Sequence, residues 1–197
     1  MVTLNKIVTK AGDGGKTRLA SGEEVPKHSP RVEAYGAVDE TNAAIGVARL
    51  HTGALPALDA ILARVQNDLF DLGADLATPA KSEDGRGAPL GYEPLRILDA
   101  QVDRLEREVD EVNARLSPLN SFILPAGAPA AAHLHLARTI ARRAERQVSL
   151  LMEDASERVS PATLKYLNRL SDLLFVCARA ANDDGAVDVL WKPGATR

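Results

Sequence analysis

Leu95, Leu98, Val102, Leu105, Val109, Val112 and Leu116 recur at alternating spacings of three and four residues. That is a heptad seam, and it commits the segment to near-parallel packing against other helices. Four further segments read as helices. The first runs from about Pro30 or Arg31 to Leu50, with the proline near its first turn. The second runs from Pro56 to about Ala77, with Val65, Leu69, Leu72 and Leu76 on one stripe and Pro79 beyond it. Residues 80–91 read as a loop, and Pro118 closes the seam segment. Ser121 to Gly127 leads into a fourth helix over about 128–153. The fifth runs from about Ser160 to Ala181, with Ser160 as N-cap and Pro161 in its first turn. The expected fold is all-α: one domain over 1–197, with a Gly-rich arm (1–29), a five-helix up-and-down bundle (30–184) and an irregular tail (185–197).

The composition narrows the function. Of 197 residues, 45% are apolar and 26% charged, enough for a real core, and the net charge is −3. A mildly acidic chain disfavours a general nucleic-acid binder. No apolar run approaches the about 20 residues that span a bilayer. The N-terminus has no signal-peptide pattern, so a cytoplasmic location is expected. The single cysteine, Cys177, lies in an apolar helical run and excludes an intrachain disulfide and a CxxC metal site.

Against that acidic background, Arg138, Arg142, Arg143 and Arg146 crowd into one segment of the fourth helix. Arg138, Arg142 and Arg146 stand at i, i+4 and i+8, and so share a face. Aligned like charges repel, so they face solvent, carboxylates of neighbouring helices, or an anion. For polyphosphate the guanidinium fork is well matched.

The arm offers similar chemistry in Thr9-Lys10-Ala11-Gly12-Asp13-Gly14-Gly15-Lys16-Thr17. Glycines let backbone N–H groups converge on an anion, and lysines add charge. It is no P-loop, because Lys10 stands where that motif needs glycine. Nor is it a dinucleotide fingerprint, because Thr17 replaces the third glycine. A flexible leader and a phosphate-binding arm are both open readings, and Gly12, Gly14 and Gly15 argue against any regular element there. Val2 to Thr9 suits an extended chain.

The first helix carries Tyr35, Asp39, Asn42 and Gly46 on one side, which places Asp39 toward the interior and in need of a cationic partner. The fifth carries Asn168 and Asp172 at i, i+4 within an apolar run, the pattern of a buried polar network or a site wall. Asp68, Asp71 and Asp75 could form a metal face, but the Glu-x-x-His pairs of a di-metal bundle are missing. His133 and His135, two residues apart, point to different faces. No metal centre is expected.

Taken together and in order, several segments resemble the PduO-type ATP:cob(I)alamin adenosyltransferases. They are Thr9–Thr17, Arg31-Val32-Glu33-Ala34-Tyr35-Gly36-Ala37-Val38-Asp39-Glu40, Phe70–Pro79, Phe122-Ile123-Leu124-Pro125, 138–146 and Tyr166–Asp172. The resemblance covers most of the chain. It implies transfer of the 5′-deoxyadenosyl group of ATP to the cobalt of cob(I)alamin, giving adenosylcobalamin and triphosphate. It also implies a homotrimer with ATP sites between subunits, Mg²⁺ with the nucleotide, a reductase supplying electrons and a cobalamin-dependent mutase receiving the product. By the same resemblance, Thr9, Lys10, Ala11, Gly12, Lys16, Thr17 and Lys27 form the ATP-binding arm. Arg142, Arg143, Glu145, Arg146 and Asn168 complete the nucleotide site. Arg138 pairs with Asp39 across the subunit interface, and Phe122 occupies the lower face of cobalt. Ala126-Gly127 departs from the family's Gly-Gly, and Ala11 and Gly14 stand where polar residues are frequent. Two other readings remain: an adenosylcobalamin escort for a mutase, and a non-catalytic ATP-binding helical sensor.

Overall fold

The computed structural model describes residues 7–79, 93–154 and 156–197. Five helices dominate them: α1 (Pro30–Arg49), α2 (Pro56–Leu76), α3 (Asp99–Asn113), α4 (Pro129–Glu153) and α5 (Pro161–Ala181). Four of the five begin with proline, whose fixed φ suits the first turn and whose missing N–H would have had no intrahelical acceptor there. Ser160 caps α5 as expected, its hydroxyl accepting the Ala162 N–H at 3.3 Å. The loop expected over 80–91 lies outside the described residues, as do residues 1–6 of the extended segment expected to Thr9.

α4 is the central helix, packed between α1 and α5; α1 also packs on α2, and α5 on α3. Its inward stripe is Leu134, Ala137, Ala141, Ala144, Val148 and Leu151, all buried at a 3–4 spacing. The three alanines let neighbouring backbones approach, and Ala34, Ala37 and Ala48 do the same from α1. α5 supplies bulk through Leu167, Leu170, Leu173 and Leu174, all fully buried. Each such leucine contributes roughly 1.5–3 kcal/mol of burial. Cys177 is a core residue, its thiol pushed up to about 12 by burial.

The third helix begins later than the heptad pattern predicts. Residues 93–98 are not helical, and Leu95 and Leu98 are exposed while Ile97 is buried. The cause is Asp75 of α2. Its carboxylate accepts the Ile97 N–H at 2.9 Å and Arg96 Nη1 at 2.6 Å, so a side chain satisfies backbone that a helix would otherwise use. Pro94 adds its own bias against helix in the preceding residue.

Two of the three aspartates considered as a metal face, Asp68 and Asp75, are structural. Asp68 accepts hydrogen bonds from Gln101 (2.9 Å), the Tyr166 hydroxyl (2.8 Å) and Arg104, tying α2 to α3 and α5. Buried Arg31 donates to the Leu76 carbonyl at 2.6 Å and to Glu157 at 2.7 Å, joining the start of α1 to the end of α2.

The arm and the tail hold more order than the sequence suggests. Lys16–Arg18 (β1) and Glu24–Pro26 (β2) form an antiparallel hairpin in register Lys16↔Pro26 and Arg18↔Glu24. Leu19 is buried, and the Ala20 N–H donates to the Ala77 carbonyl at 2.9 Å, pinning the hairpin to the end of α2. The glycines of the arm precede this hairpin rather than prevent it. The tail pairs with the loop before α4 through an isolated Ile123↔Leu190 bridge.

Candidate functional site

The predicted site residues fall into three groups on one chain. The first is the arm. Lys10 takes a left-handed backbone (φ 60°), and a turn forms behind it through Asp13 N–H to the Lys10 carbonyl and Gly15 N–H to the Gly12 carbonyl. A Cβ at Gly12 would lie 2.8 Å from Lys27 Nζ. The exposed Lys27 ammonium thus lies against the glycine turn. Lys16 pairs with Glu24 at 2.9 Å, an exposed contact that an anion can displace. Thr9 contacts the Ala11 N–H at 3.5 Å, and Thr17 lies beside Tyr35. Burial raises the phenol pKa of Tyr35.

The second group is the outer face of α4. Arg142 and Arg146 are exposed; among the described residues Arg142 makes a long contact with Glu145 (3.5 Å) and Arg146 bonds to the Arg142 carbonyl (3.1 Å). Glu145 accepts from Asn168 Nδ2 at 2.8 Å; Asn168 Oδ1 accepts from Arg169 (2.7 Å), which also binds Glu106 (2.7 Å). So Glu145 and Asn168 are set by a relay, while Arg142 and Arg146 stay exposed on weak contacts that an anion can displace. Arg143 ion-pairs with Glu40 of α1, which holds the Glu40 carboxyl below its usual value. The polar pair expected on α5 is half met: Asn168 joins the relay, but Asp172 is exposed.

The third group surrounds Phe122, which is 77% exposed. Its ring meets Trp191 edge-on, centroids 6.0 Å apart. Behind them opens a cavity of about 720 Å³ lined by Leu119, Ile123, His135, Arg138 and Phe175, among others. Arg138 joins this cavity to the basic face of α4, and its Nε is buried without a partner. Burial and the Arg138 charge push the His135 pKa down. Among the described residues, no group of three or more His, Cys, Asp and Glu is arranged to hold a metal.

Asp39 is not interior within one chain. The inward positions of α1 are Ala34, Val38, Thr41, Ile45 and Ala48, which leaves Asp39 exposed. It edges a groove of about 320 Å³ with Tyr35, Asn42, Leu69 and Phe70. No ion pair joins Asp39 to Arg138 within the chain, and no hydrogen bond or ion pair joins the arm to α4, among the described residues. The cavity residues Trp191, Phe175 and His135 were not singled out as site residues by sequence. The available signal was a lone tryptophan in a tail, a large aromatic that gains little unless it packs.

Comparison with known proteins decides the family. The cobalamin adenosyltransferase family model matches residues 7–181. The chain belongs to the cobalamin adenosyltransferase family. It is 46% identical over 196 residues to the corrinoid adenosyltransferase of Mycobacterium tuberculosis (strain H37Rv), covering all of this chain and 97% of the relative. It is 42% identical over 194 residues to the corrinoid adenosyltransferase of Bacillus subtilis, covering 96% and 94%. A variant PduO-type ATP:corrinoid adenosyltransferase from Lactobacillus reuteri, complexed with cobalamin and ATP, superposes with a TM-score of 0.81 at 38% identity. That match covers 95% of this chain and 99% of the other. A second variant from the same organism, complexed with ATP, gives a TM-score of 0.82 at 39% identity, covering 95% and 100%.

Proposed function

We propose that this chain transfers the 5′-deoxyadenosyl group of ATP to the cobalt of cob(I)alamin, releasing triphosphate. The observation that carries the reading is the position of Arg138. It walls the Phe122 cavity and shares a helix with the exposed Arg142 and Arg146, so an aromatic-edged cavity and an anion face meet at one helix.

The electron pair of Co(I) forms the Co–C5′ bond, and the C5′–O bond breaks with its pair leaving on triphosphate. Negative charge therefore grows on the leaving group. Arg142, Arg143, Arg146 and the arm residues Thr9, Lys10, Ala11, Gly12, Lys16, Thr17 and Lys27 are assigned to bind it. Preorganised cations and amides stabilise developing charge without reorganising. No general base is required, because the metal centre of the substrate is the nucleophile. Glu145 and Asn168 orient the nucleotide from the relay. Phe122 sits beneath the corrin ring and keeps water from the lower axial position, which eases reduction of Co(II).

The hydroxyls of Thr9 and Thr17 are the side-chain oxygens of the arm set that would suit Mg²⁺, or its waters, arriving with the nucleotide. Mg²⁺ keeps waters and binds phosphates rather than needing a carboxylate cage, and it supplies charge neutralisation on the leaving phosphates.

Asp39 is exposed on one chain and makes no ion pair with Arg138 there among the described residues, which supports assembly of the site from neighbouring copies, and we assign a homotrimer in which Asp39 meets Arg138 of another subunit. No described helix is long and apolar enough to cross a membrane; the enzyme is assigned to the cytoplasm, served by a corrinoid reductase and supplying a cobalamin-dependent mutase. The test is anaerobic turnover of Mg-ATP with chemically reduced cob(I)alamin. Stoichiometric adenosylcobalamin and triphosphate are expected. ATP binding without turnover would instead leave a nucleotide sensor.

A further inference from the structure

Beyond α5 lies a cluster that the chemistry above does not use. Arg179 and Asp188 form an ion pair at 2.8 Å with side chains only 6% and 2% exposed. Arg179 Nη2 also donates to the Ser117 carbonyl at 2.8 Å. Asn182, equally buried, donates from Nδ2 to Asp188 Oδ1 (3.1 Å) and to the Ala126 carbonyl (3.2 Å), and its Oδ1 accepts the Ala128 N–H at 2.9 Å. Three side chains thus clamp three pieces of chain: residues 117–128, the end of α5, and 185–191.

The clamped pieces carry the exposed Phe122 and Trp191. Between the clamp points, Leu124 N–H donates to the Val189 carbonyl (2.7 Å), Trp191 N–H to the Phe122 carbonyl (2.8 Å) and Ser121 Oγ to the Trp191 carbonyl (2.9 Å). The turn itself is uncommon. Asp183 and Asp184 have φ of 55° and 47°, which non-glycine residues hold only where the surroundings over-determine them. Gly127 has φ 107°, and a Cβ there would strike the Asn182 amide. A fully buried ion pair adds little net stability, because desolvation opposes its Coulombic gain. Its use here is geometric.

We propose that Arg179, Asn182 and Asp188 are positioning residues that lock Phe122 and Trp191 into one wall of the cavity, and so govern the corrinoid side of the reaction without touching ATP. This rests on the proposed function. Cob(II)alamin must lose its lower axial ligand to be reduced, and a wall fixed in place favours that loss. Cob(I)alamin has no such ligand to lose.

The experiment runs anaerobic adenosylation from two starts, cob(II)alamin with an added reductant and preformed cob(I)alamin, in Asp188→Asn and Gly127→Ala. The rate from cob(II)alamin is expected to fall by about 10- to 100-fold, the scale of an ångström's misplacement. The rate from cob(I)alamin and the KM for ATP stay close to those of the unsubstituted chain. The absorption change that marks axial-ligand loss in bound cob(II)alamin weakens in parallel. Equal losses from both starts, or an unaltered cob(II)alamin spectrum, overturn the inference. Should Asp188→Asn lose helical content, Gly127→Ala, which keeps every clamp side chain, decides. If the unsubstituted chain adenosylates neither form, the proposed function itself fails and takes the inference with it.

Discussion

Asn168 of α5 donates its amide to one carboxylate oxygen of Glu145 of α4 at 2.8 Å, while the other oxygen meets Arg142 at 3.5 Å. Arg142 is left half-exposed with one long ion pair that an anion can displace. Arg142→Ala is expected to remove a charge-assisted phosphate contact of about 1.5–3 kcal/mol. Titration of the variant with ATP and measurement of its turnover read the loss directly. Unchanged affinity and rate would remove Arg142 from the site.

Gly12 gives the Lys27 ammonium its place. In Gly12→Ala the added methyl sits 2.8 Å from Nζ, and the flexible lysine swings away rather than the backbone. Weaker ATP binding with an unaltered melting temperature is the expected pair of results, since the arm contributes little to the core. A loss of stability with intact affinity would show the turn to be structural.

Phe122 makes its shown contact through Trp191 and is otherwise solvent-facing. Phe122→Ala should slow conversion from cob(II)alamin strongly while leaving ATP affinity nearly intact. If ATP binding collapses instead, the residue does not serve the corrinoid.

Asp39→Asn tests the assembly. Within one chain Asp39 is exposed, so its loss costs the isolated fold little. In the proposed trimer it is expected to weaken the assigned contact with Arg138, seen as a lower sedimentation coefficient on dilution and reduced turnover. A variant that stays trimeric and fully active would separate the two residues.

Asp59 accepts from Arg49 and Thr52, and these bonds hold its carboxyl at about 2, against 3.8 for the free group. A depressed folded-state value stabilises above pH 3.8 and is lost as pH falls from 3.8 toward about 2. The acid limb of the stability curve should therefore flatten in that window in Asp59→Asn, measured by denaturant melts at stepped pH. An identical acid limb in both proteins would show that the pair contributes nothing there. Both side chains are partly solvated, so the effect is modest.

The order of the five helices, their proline starts and the Ser160 cap were legible in the sequence, because capping and 3.6-residue periodicity are local properties of neighbouring residues. So was the shared face of Arg138, Arg142 and Arg146. Three things were decided only in three dimensions. The heptad seam runs to Leu95 on paper, yet Asp75, far away in the chain, takes the Ile97 amide and delays α3 to Asp99. The tail looks structureless, yet Leu190 bridges Ile123 and carries Trp191 to Phe122. Asp39 shares a helix side with inward residues, yet it faces out of the single chain. In the first two cases the deciding partner is distant in sequence. A hydrogen bond across that distance leaves no periodicity behind, because its energy depends on where the packed helices bring two groups and not on the residues beside either one.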